Sequence, residues 1–389
     1  MEIYKGRTPI EEYDQLMQLL DDVFFSEDTE EPKRSFLTLL PKLYKNKQEA
    51  CGNNFCVMED GVIKGAVGLF PMECMAAGQK LKVGGIGNVA VAKDARGAGH
   101  MKTCMKLCLE QMMADGTDFS LLGGQRQRYG FFGYELAGVS YEFHLNEGNL
   151  YRELGKGYAH PFTARKATRE ETLFFEKLLA YLRSFPQYTL YKENTDMFDV
   201  FSSWGVAPYI VFDGDKMVGF FAANRYQKGV HDVIAFEVKN MFGVCIAAMD
   251  TLHIHGFGFR APVFDTELCE FCAAHTDGVN VSHVDMINIF NYENFIRGFL
   301  GVKASYETLC DGEITLLIHG VRCDEQLQIA VKDNKITVAP TTEKPDMELE
   351  HRKAIRMLAS LYSDDRRNLP ANVRGWFPLP LYWASRDGI

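Results

Sequence analysis

Several things are scarce in this chain of 389 residues, and each scarcity narrows what it can be. An excess of positive charge is missing: 42 Lys and Arg face 52 Asp and Glu, a formal net charge of −10. A nucleic-acid binder usually shows a basic patch or a high pI, so no nucleic-acid partner is expected. Long apolar runs are missing too, so no segment approaches bilayer-spanning length and no membrane partner is expected. The opening segment, MEIYKGRTPIEEYD, lacks the apolar core of a signal peptide, and a cytoplasmic location is expected. Ten cysteines are present but scattered, with Cys56, Cys104 and Cys108 on apolar faces. That pattern fits reduced thiols packed as small core residues rather than a disulfide framework. Low-complexity stretches of any size are absent. What remains, 47% hydrophobic residues with 12% aromatics, suffices for two or three well-filled cores. An acidic surface draws cationic partners such as amines, and equally befits a merely soluble acidic chain.

Against that background Gly87–Met101 stands out. Asn88 to Ala92 has the β-branched and small residues of a buried strand, and Arg96-Gly97-Ala98-Gly99 reads as a tight turn. Met101, Cys104, Met105, Cys108 and Met112 then recur at helical spacing, which predicts a helix with one apolar face on a sheet. Glycines allow close backbone approach, and a helix start presents free N–H groups and partial positive charge. A strand, glycine turn and helix of this kind make a pyrophosphate cradle.

The pattern V-A-V-x(4)-R-G-x-G resembles the acyl-CoA loop of the GNAT superfamily of N-acetyltransferases, usually Arg/Gln-x-x-Gly-x-Gly/Ala. Arg96 and Gly99 fit, Gly97 falls at a free position, and Met101 stands where Gly or Ala is usual. That departure is familiar in the enhanced intracellular survival (Eis) type, as are Tyr129-Gly130-Phe131-Phe132-Gly133-Tyr134 downstream and a carrier-like C-terminal region with an apolar tail. The resemblance implies tandem GNAT folds, the second degenerate, followed by a sterol-carrier-protein-like α+β domain. It further implies acetyl-CoA as co-substrate, a small-molecule or peptide amine as acceptor, no metal, and a symmetric homo-oligomer, often a hexamer.

The rest of the chain is consistent with that layout. Thr8-Pro9-Ile10-Glu11 predicts a capped helix start, and Arg34 to Lys47 a second helix that Pro41 breaks or kinks. Phe55 to Phe70 reads as a hairpin around Asp60-Gly61, followed by strands at Leu81 to Ala92, Phe119 to Gly123 and Val139 to Leu145. A mixed α/β domain over residues 1–150 follows. Beyond it, a hairpin around Asp213-Gly214 echoes the first, with a helix near Val238 to Asp250 but no Arg-Gly-x-Gly turn. This predicts a degenerate copy over 151–284. A third region, 285–389, shows a helix from Tyr292, three short strands between Gly312 and Ala339, and a helix from Met347 to Leu361.

Acyl transfer needs a held thioester, a polarised carbonyl, a base for the amine and an acid for the departing thiolate. By resemblance the backbone of Val89, Ala90 and Val91 holds the pantetheine arm and faces the thioester, and Arg96, Gly97, Ala98, Gly99, His100 and Met101 hold the phosphates. Tyr129 has the place of the general acid; a phenol is protonated at neutral pH and can donate to a thiolate. The apolar end, Trp376 to Trp383, is expected to be packed, and by resemblance delivers the terminal carboxylate of Ile389 as the base. Where the family more often ends in an aromatic residue, this chain ends Asp387-Gly388-Ile389. Asp21, Asp22, Glu27, Asp28 and Asp387 are acids that could meet an amine, or simply solvated charges. Cys269, Cys272 and His275 lack a second ligand pair, so no zinc site is expected. A different class of reading is an apolar-ligand binding protein in which the loop is vestigial.

Overall fold

The computed structural model describes residues 2–27, 33–155, 159–224 and 229–389. The chain begins with strand β1 (Ile3–Arg7) and helix α1 (Tyr13–Phe24). Thr8 does not cap that helix; its hydroxyl donates to the Asn54 carbonyl, and a 3-10 turn leads into α1 instead. Leu16, Leu19 and Leu20 are the buried stripe. Pro41 splits the next helical stretch: α2 (Phe36–Leu39) ends just before it and α3 (Pro41–Tyr44) begins with it. That placement suits proline, which has no N–H to lose at a first helical position. Then follow α4 (Lys47–Asn53), the hairpin β2 (Asn54–Glu59) and β3 (Val62–Ala76), and β4 (Gln79–Val91). Helix α5 (His100–Ala114), β5 (Phe119–Leu122), the single turn α6 (Arg126–Tyr129) and β6 (Glu135–Ala137) complete the first pass.

The second pass runs through β7 (Ser140–Asn146), α7 (Glu147–Leu154), β8 (Phe162–Lys166), α8 (Thr172–Leu182), β9 (Gln187–Leu190) and α9 (Met197–Phe201). The second hairpin is β10 (Val206–Asp213) with β11 (Lys216–Asn224), followed by β12 (Val230–Ala235), α10 (Met241–Leu252), β13 (Gly256–Pro262), α11 (Thr266–His275), β14 (Val279–Ser282) and β15 (Asp285–Ile289). A hairpin, a third strand and a covering helix thus recur, as the echo of the two Asp-Gly turns predicts.

The two passes exchange strands. The first sheet runs β1-β2-β3-β4-β5-β15-β6, with β9 added beside β3, while a separate sheet runs β13-β7-β14. Strand β7 follows β6 in sequence yet lies between β13 and β14; β15 follows β14 yet lies between β5 and β6. Each half therefore closes its partner's sheet. The strand expected near Val139 to Leu145 forms, but it belongs to the second half, which sequence alternation cannot reveal.

The last region carries α12 (Tyr292–Ala304), the strands β16 (Gly312–His319), β17 (Asp324–Lys332), β18 (Lys335–Pro340) and β19 (Met347–Glu350), then α13 (His351–Ala359) and the turn α14 (Ala371–Arg374). Met347 to Glu350 is a strand paired in parallel with β16, so the expected helix starts only at His351. Buried residues of α12, α13 and the tail (Trp376, Leu379, Leu381) share one core with β16 and β17 and with Val83 and Phe119 of the first sheet. Among the described residues, no helix is long and apolar enough to cross a membrane.

Candidate active site

Strand β4 pairs in parallel with β5 only from Val83 opposite Phe119 to Ile86 opposite Leu122. Past that point β5 ends, and Gly87 to Val91 continue along β3 alone. The strands splay, leaving a wedge with unpaired β4 backbone along one side. A bulge reshapes that edge: Ala66 faces Ala90 and Gly68 faces Gly87, so Asn88 and Val89 together oppose Val67. Asn88 takes φ +41°, held by its amide donating to Asn54 Oδ1 (2.7 Å) and by Tyr44 Oη donating to its Oδ1 (2.8 Å). Bulges re-aim backbone groups beside active sites, and this one turns the β4 edge where Val89, Ala90 and Val91 are expected to meet a thioester.

The loop after β4 is exposed from Arg96 to Gly99. Gly97 and Gly99 adopt φ +90° and +87°, and a Cβ at either would meet nothing within 4 Å. Open space above left-handed backbone at the start of a fifteen-residue helix suits a bulky anion. The first N–H groups of α5 lack helical partners by construction. The residues present therefore fit a pyrophosphate. His100 departs in one respect from the expectation for this loop. Its side chain is buried against Gly65, with Nε2 3.5 Å from Glu59, so only its backbone faces the loop. Met101 is half-buried and packs, with Val89, on the apolar cluster that contains Tyr129.

Tyr129 ends α6 and is 6% exposed. A Cβ on Gly124, just past β5, would come 2.9 Å from its ring, which puts the phenol at the β5 side of the wedge. Burial pushes its pKa above the ordinary value, and Arg128 offsets part of that rise. The phenol is thus a proton donor across the neutral range. Its loop is anchored by Glu135, 1% exposed, whose carboxylate accepts from Arg126, from Arg352 Nη2 (3.0 Å) and from Arg356 Nη2 (2.7 Å). Burial would raise the Glu135 pKa, but the arginine hydrogen bonds more than reverse it, to about 2. Of the other aromatics in the motif, Tyr134 is fully buried and bonded to Ser120, whereas Phe131 is 74% exposed under Lys102.

On the opposite face of β4 lies the end of the chain. A Cβ on Gly85 would collide with the Ile389 side chain, and one on Gly87 would sit 3.2 Å from the Ile389 carbonyl carbon. Tyr129 and Ile389 thus flank the same strand. Beside Ile389 opens a cavity of about 370 Å³ lined by Trp204, His231, Arg260, Asp285 and Trp383. Burial pushes the Asp285 carboxyl up to about 6. Its wall draws on all three regions of the chain, which is why residue order did not disclose Asp285, Trp204 or Trp383.

The other sequence candidates lie elsewhere. Asp21 Oδ1 accepts from the Phe36 N–H (2.8 Å), a local structural bond. Asp28 lies outside the described residues. Asp387 is buried and takes a bond from Tyr191. Cys269 and Cys272 are buried in the core under α11, and burial pushes each thiol up to about 12. Among the described residues no cluster of three His, Cys, Asp or Glu could hold a metal.

Residues 7–137 match the family described as the acetyltransferase (GNAT) domain. No curated protein matches the chain. Among solved structures, a GCN5-related N-acetyltransferase from Kribbella flavida is similar at a TM-score of 0.66 with 15% identity, over 97% of this chain and 95% of that one. One of the same description from Anabaena variabilis has a TM-score of 0.66, 15% identity and coverage of 100% and 98%. Eis1 from Mycobacterium abscessus has a TM-score of 0.59 at 12% identity, over 92% and 89%. At such identities the likeness concerns the fold, here the mixed α/β layout along nearly the whole chain. The splayed β4–β5 wedge and the glycine turn fall within the family match, so residues 7–137 are a GNAT acetyltransferase domain and the chain is an enzyme, an acyltransferase.

Proposed function

We propose that the enzyme moves an acetyl group from acetyl-CoA to a primary amine by direct transfer in a ternary complex, as an Eis-type acetyltransferase. The observation that carries the reading is the pair of groups flanking β4: the Tyr129 phenol on one face and the Ile389 terminus on the other, at Gly85 and Gly87. Gly97 and Gly99, with the N–H groups of His100 and Met101, hold the pyrophosphate; Arg96 lies in the same exposed turn. The free β4 edge from Val89 to Val91 binds the pantetheine arm and the thioester carbonyl. Acetyl-CoA supplies the activated acyl carbon. The Ile389 carboxylate takes a proton from the amine held in the adjoining cavity. The amine nitrogen bonds to the acyl carbon as the C–S bond breaks and its electron pair leaves with sulfur. Tyr129 then gives its proton to the thiolate.

The indoles of Trp204 and Trp383 in the cavity wall suit an acceptor with a cationic head and an apolar body, with Asp285 and Ile389 as its acids and Arg260 as a countercharge in the same wall. The three-part division into an active domain (1–150), a degenerate copy (151–284) and a sterol-carrier-like domain (285–389) belongs to the same reading, as does a homo-oligomer. The rival, an apolar-ligand carrier, finds less support, because tail residues Trp376, Leu379 and Leu381 already fill the core shared with β16 and β17.

Replacing Tyr129 by Phe tests the acid. The variant is expected to lose about a hundredfold in kcat while its KM for acetyl-CoA stays within twofold, in line with the usual contribution of general acid catalysis. Undiminished turnover, followed as thiol release, would remove Tyr129 from the mechanism.

A further inference from the structure

The chain's last residues cross from the third region to the β4 strand of the first, and every stage of that path is tied down. Leu381 accepts from the Val139 N–H (3.0 Å), and Gln187 bonds both the N–H and the carbonyl of Tyr382. Arg386 pairs with Asp232 (2.5 Å), and Tyr191 donates to Asp387. All these ties stop short of the last two residues. Beyond them the Gly388 N–H bonds back to the Ser385 carbonyl (3.1 Å), the Ile389 side chain packs on the first-region core, and one polar side chain of that region reaches the turn from outside. Lys42, on α3, directs its Nζ to the carbonyl oxygens of Arg386 (2.5 Å) and Gly388 (2.6 Å).

We infer that Lys42 is a positioning residue, which clamps the last turn of the chain and thereby sets the Ile389 carboxylate against Gly87 of β4. This rests on the reading of Ile389 as the base. Two carbonyls two residues apart converge on one ammonium only when the chain between them is coiled, and the 3-10 turn Ser385–Asp387 supplies that coil. The Gly388 carbonyl is one peptide bond from the terminal residue, so fixing it limits Ile389 to rotation about its own N–Cα and Cα–C bonds. Gly85 and Gly87 then leave room for the Ile389 side chain and carboxylate on the strand. The Lys42 hydrogen bonds go to the tail carbonyls and not to the Arg96–Gly99 turn, so its loss is expected to act on the base and not on cofactor affinity. A base displaced by about an ångström loses rate steeply, since orientation contributes much of the acceleration.

The test uses the full chain with Lys42→Met and Lys42→Arg, each also made without Ile389. Two readouts are taken: removal of Ile389 by carboxypeptidase A, followed by mass spectrometry, and acetyl transfer to saturating n-propylamine, followed as CoA thiol. Lys42→Met is expected to release Ile389 at least tenfold faster than the native enzyme and to lower kcat at least tenfold, with the KM for acetyl-CoA within twofold. Lys42→Arg, which keeps a donor, is expected to recover part of both. In the background lacking Ile389, Lys42→Met is expected to change kcat less than twofold, because coupled residues are not additive. Ile389 staying protected in Lys42→Met overturns the clamp, as does an equal loss of kcat with and without Ile389. Fast release of Ile389 with unchanged kcat leaves the clamp standing and overturns the base, so the two failures are distinguishable.

Discussion

At the scale of single residues, the seat of the chain end depends on what is missing from two side chains. Gly85 and Gly87 lie two apart on one face of β4, and both positions are filled from outside by Ile389. Gly85→Ala would place a methyl in the space of the Ile389 side chain and 2.7 Å from the Met72 terminal carbon. Overpacking of this kind is relieved by moving the softer partner, here the chain end. The variant is expected to lose about tenfold in kcat with little change in the KM for acetyl-CoA. Adding Ile389→Ala, which vacates the contested volume, is expected to restore most of the loss. Steady-state kinetics of the single and double variants check this, and a double variant no better than the single one would show that the collision is not what matters. In the sequence Gly85 is inconspicuous and Gly87 only opens the strand before the loop, so neither betrays a contact with the chain end.

At the scale of elements, the Tyr129 loop is held from outside its own domain, by α13. Arg352 and Arg356 of that helix donate to Glu135, while His351 at its start donates from Nε2 to Asn288 Oδ1 (2.8 Å) and has Nδ1 2.8 Å from Tyr292 Oη. Burial pushes the His351 pKa down to about 4, partly opposed by its contact with Gly133 of the motif. A histidine whose folded pKa lies below its unfolded value near 6.5 stabilises the fold above that value and loses the contribution as pH falls toward 4. Glu135, at about 2 against 4.5, has the same sign, with its loss running from 4.5 down to 2. The His351 contribution should therefore be lost first and the Glu135 contribution second on acidification, while Asp285 and Asp265, both pushed up to about 6 by burial, contribute with the opposite sign between about 6 and 3.8. Glu135→Gln should remove the lower stage and cost about 2 kcal/mol at pH 7, less than the roughly 3 kcal/mol of the shift itself because the three guanidinium groups are partly in water. Urea denaturation from pH 7 to pH 3 measures both. The His351 stage is read as the difference between the native enzyme and His351→Gln, and a difference that stays constant from 6.5 to 4 would contradict the role given to His351.

Periodicity and turn chemistry made most of these elements legible: the α5 stripe, the Asp-Gly hairpins and the Pro41 break all form as their residues dictate. What they could not convey is partnership. Val139 to Leu145 has the alternation of a strand, yet nothing in it specifies β13 and β14 as neighbours over 100 residues away. Met347 to Glu350 carries acids and a methionine that suit helix, and becomes strand because β16 offers an edge. The site divides similarly. The loop glycines and Tyr129 were visible because a contiguous motif holds them, while Lys42, Asn88 and Asp285 matter through contacts made only in three dimensions.

At the scale of the molecule, the exchange of β7 and β15 and the path of the tail bring three stretches of the chain together around β4, which the proposed reading makes one catalytic unit. The first supplies the wedge and loop, the second a wall of the cavity and the Asp232 tie, and the third the chain end. Such an enzyme gains nothing from a mobile terminus, and the chain spends Lys42, Gln187, Tyr191 and Arg386 on immobilising it. In the proposed reading this assembly surrounds an acyl-CoA held on the Arg96–Gly99 turn. Calorimetric titration of the native enzyme with acetyl-CoA, repeated on Gly99→Glu, tests it most directly, since a glutamate there meets both the strained φ and the phosphate charge. Saturable one-to-one binding by the native enzyme is expected, and its loss in Gly99→Glu. No binding by the native enzyme, or equal binding by the variant, would contradict it.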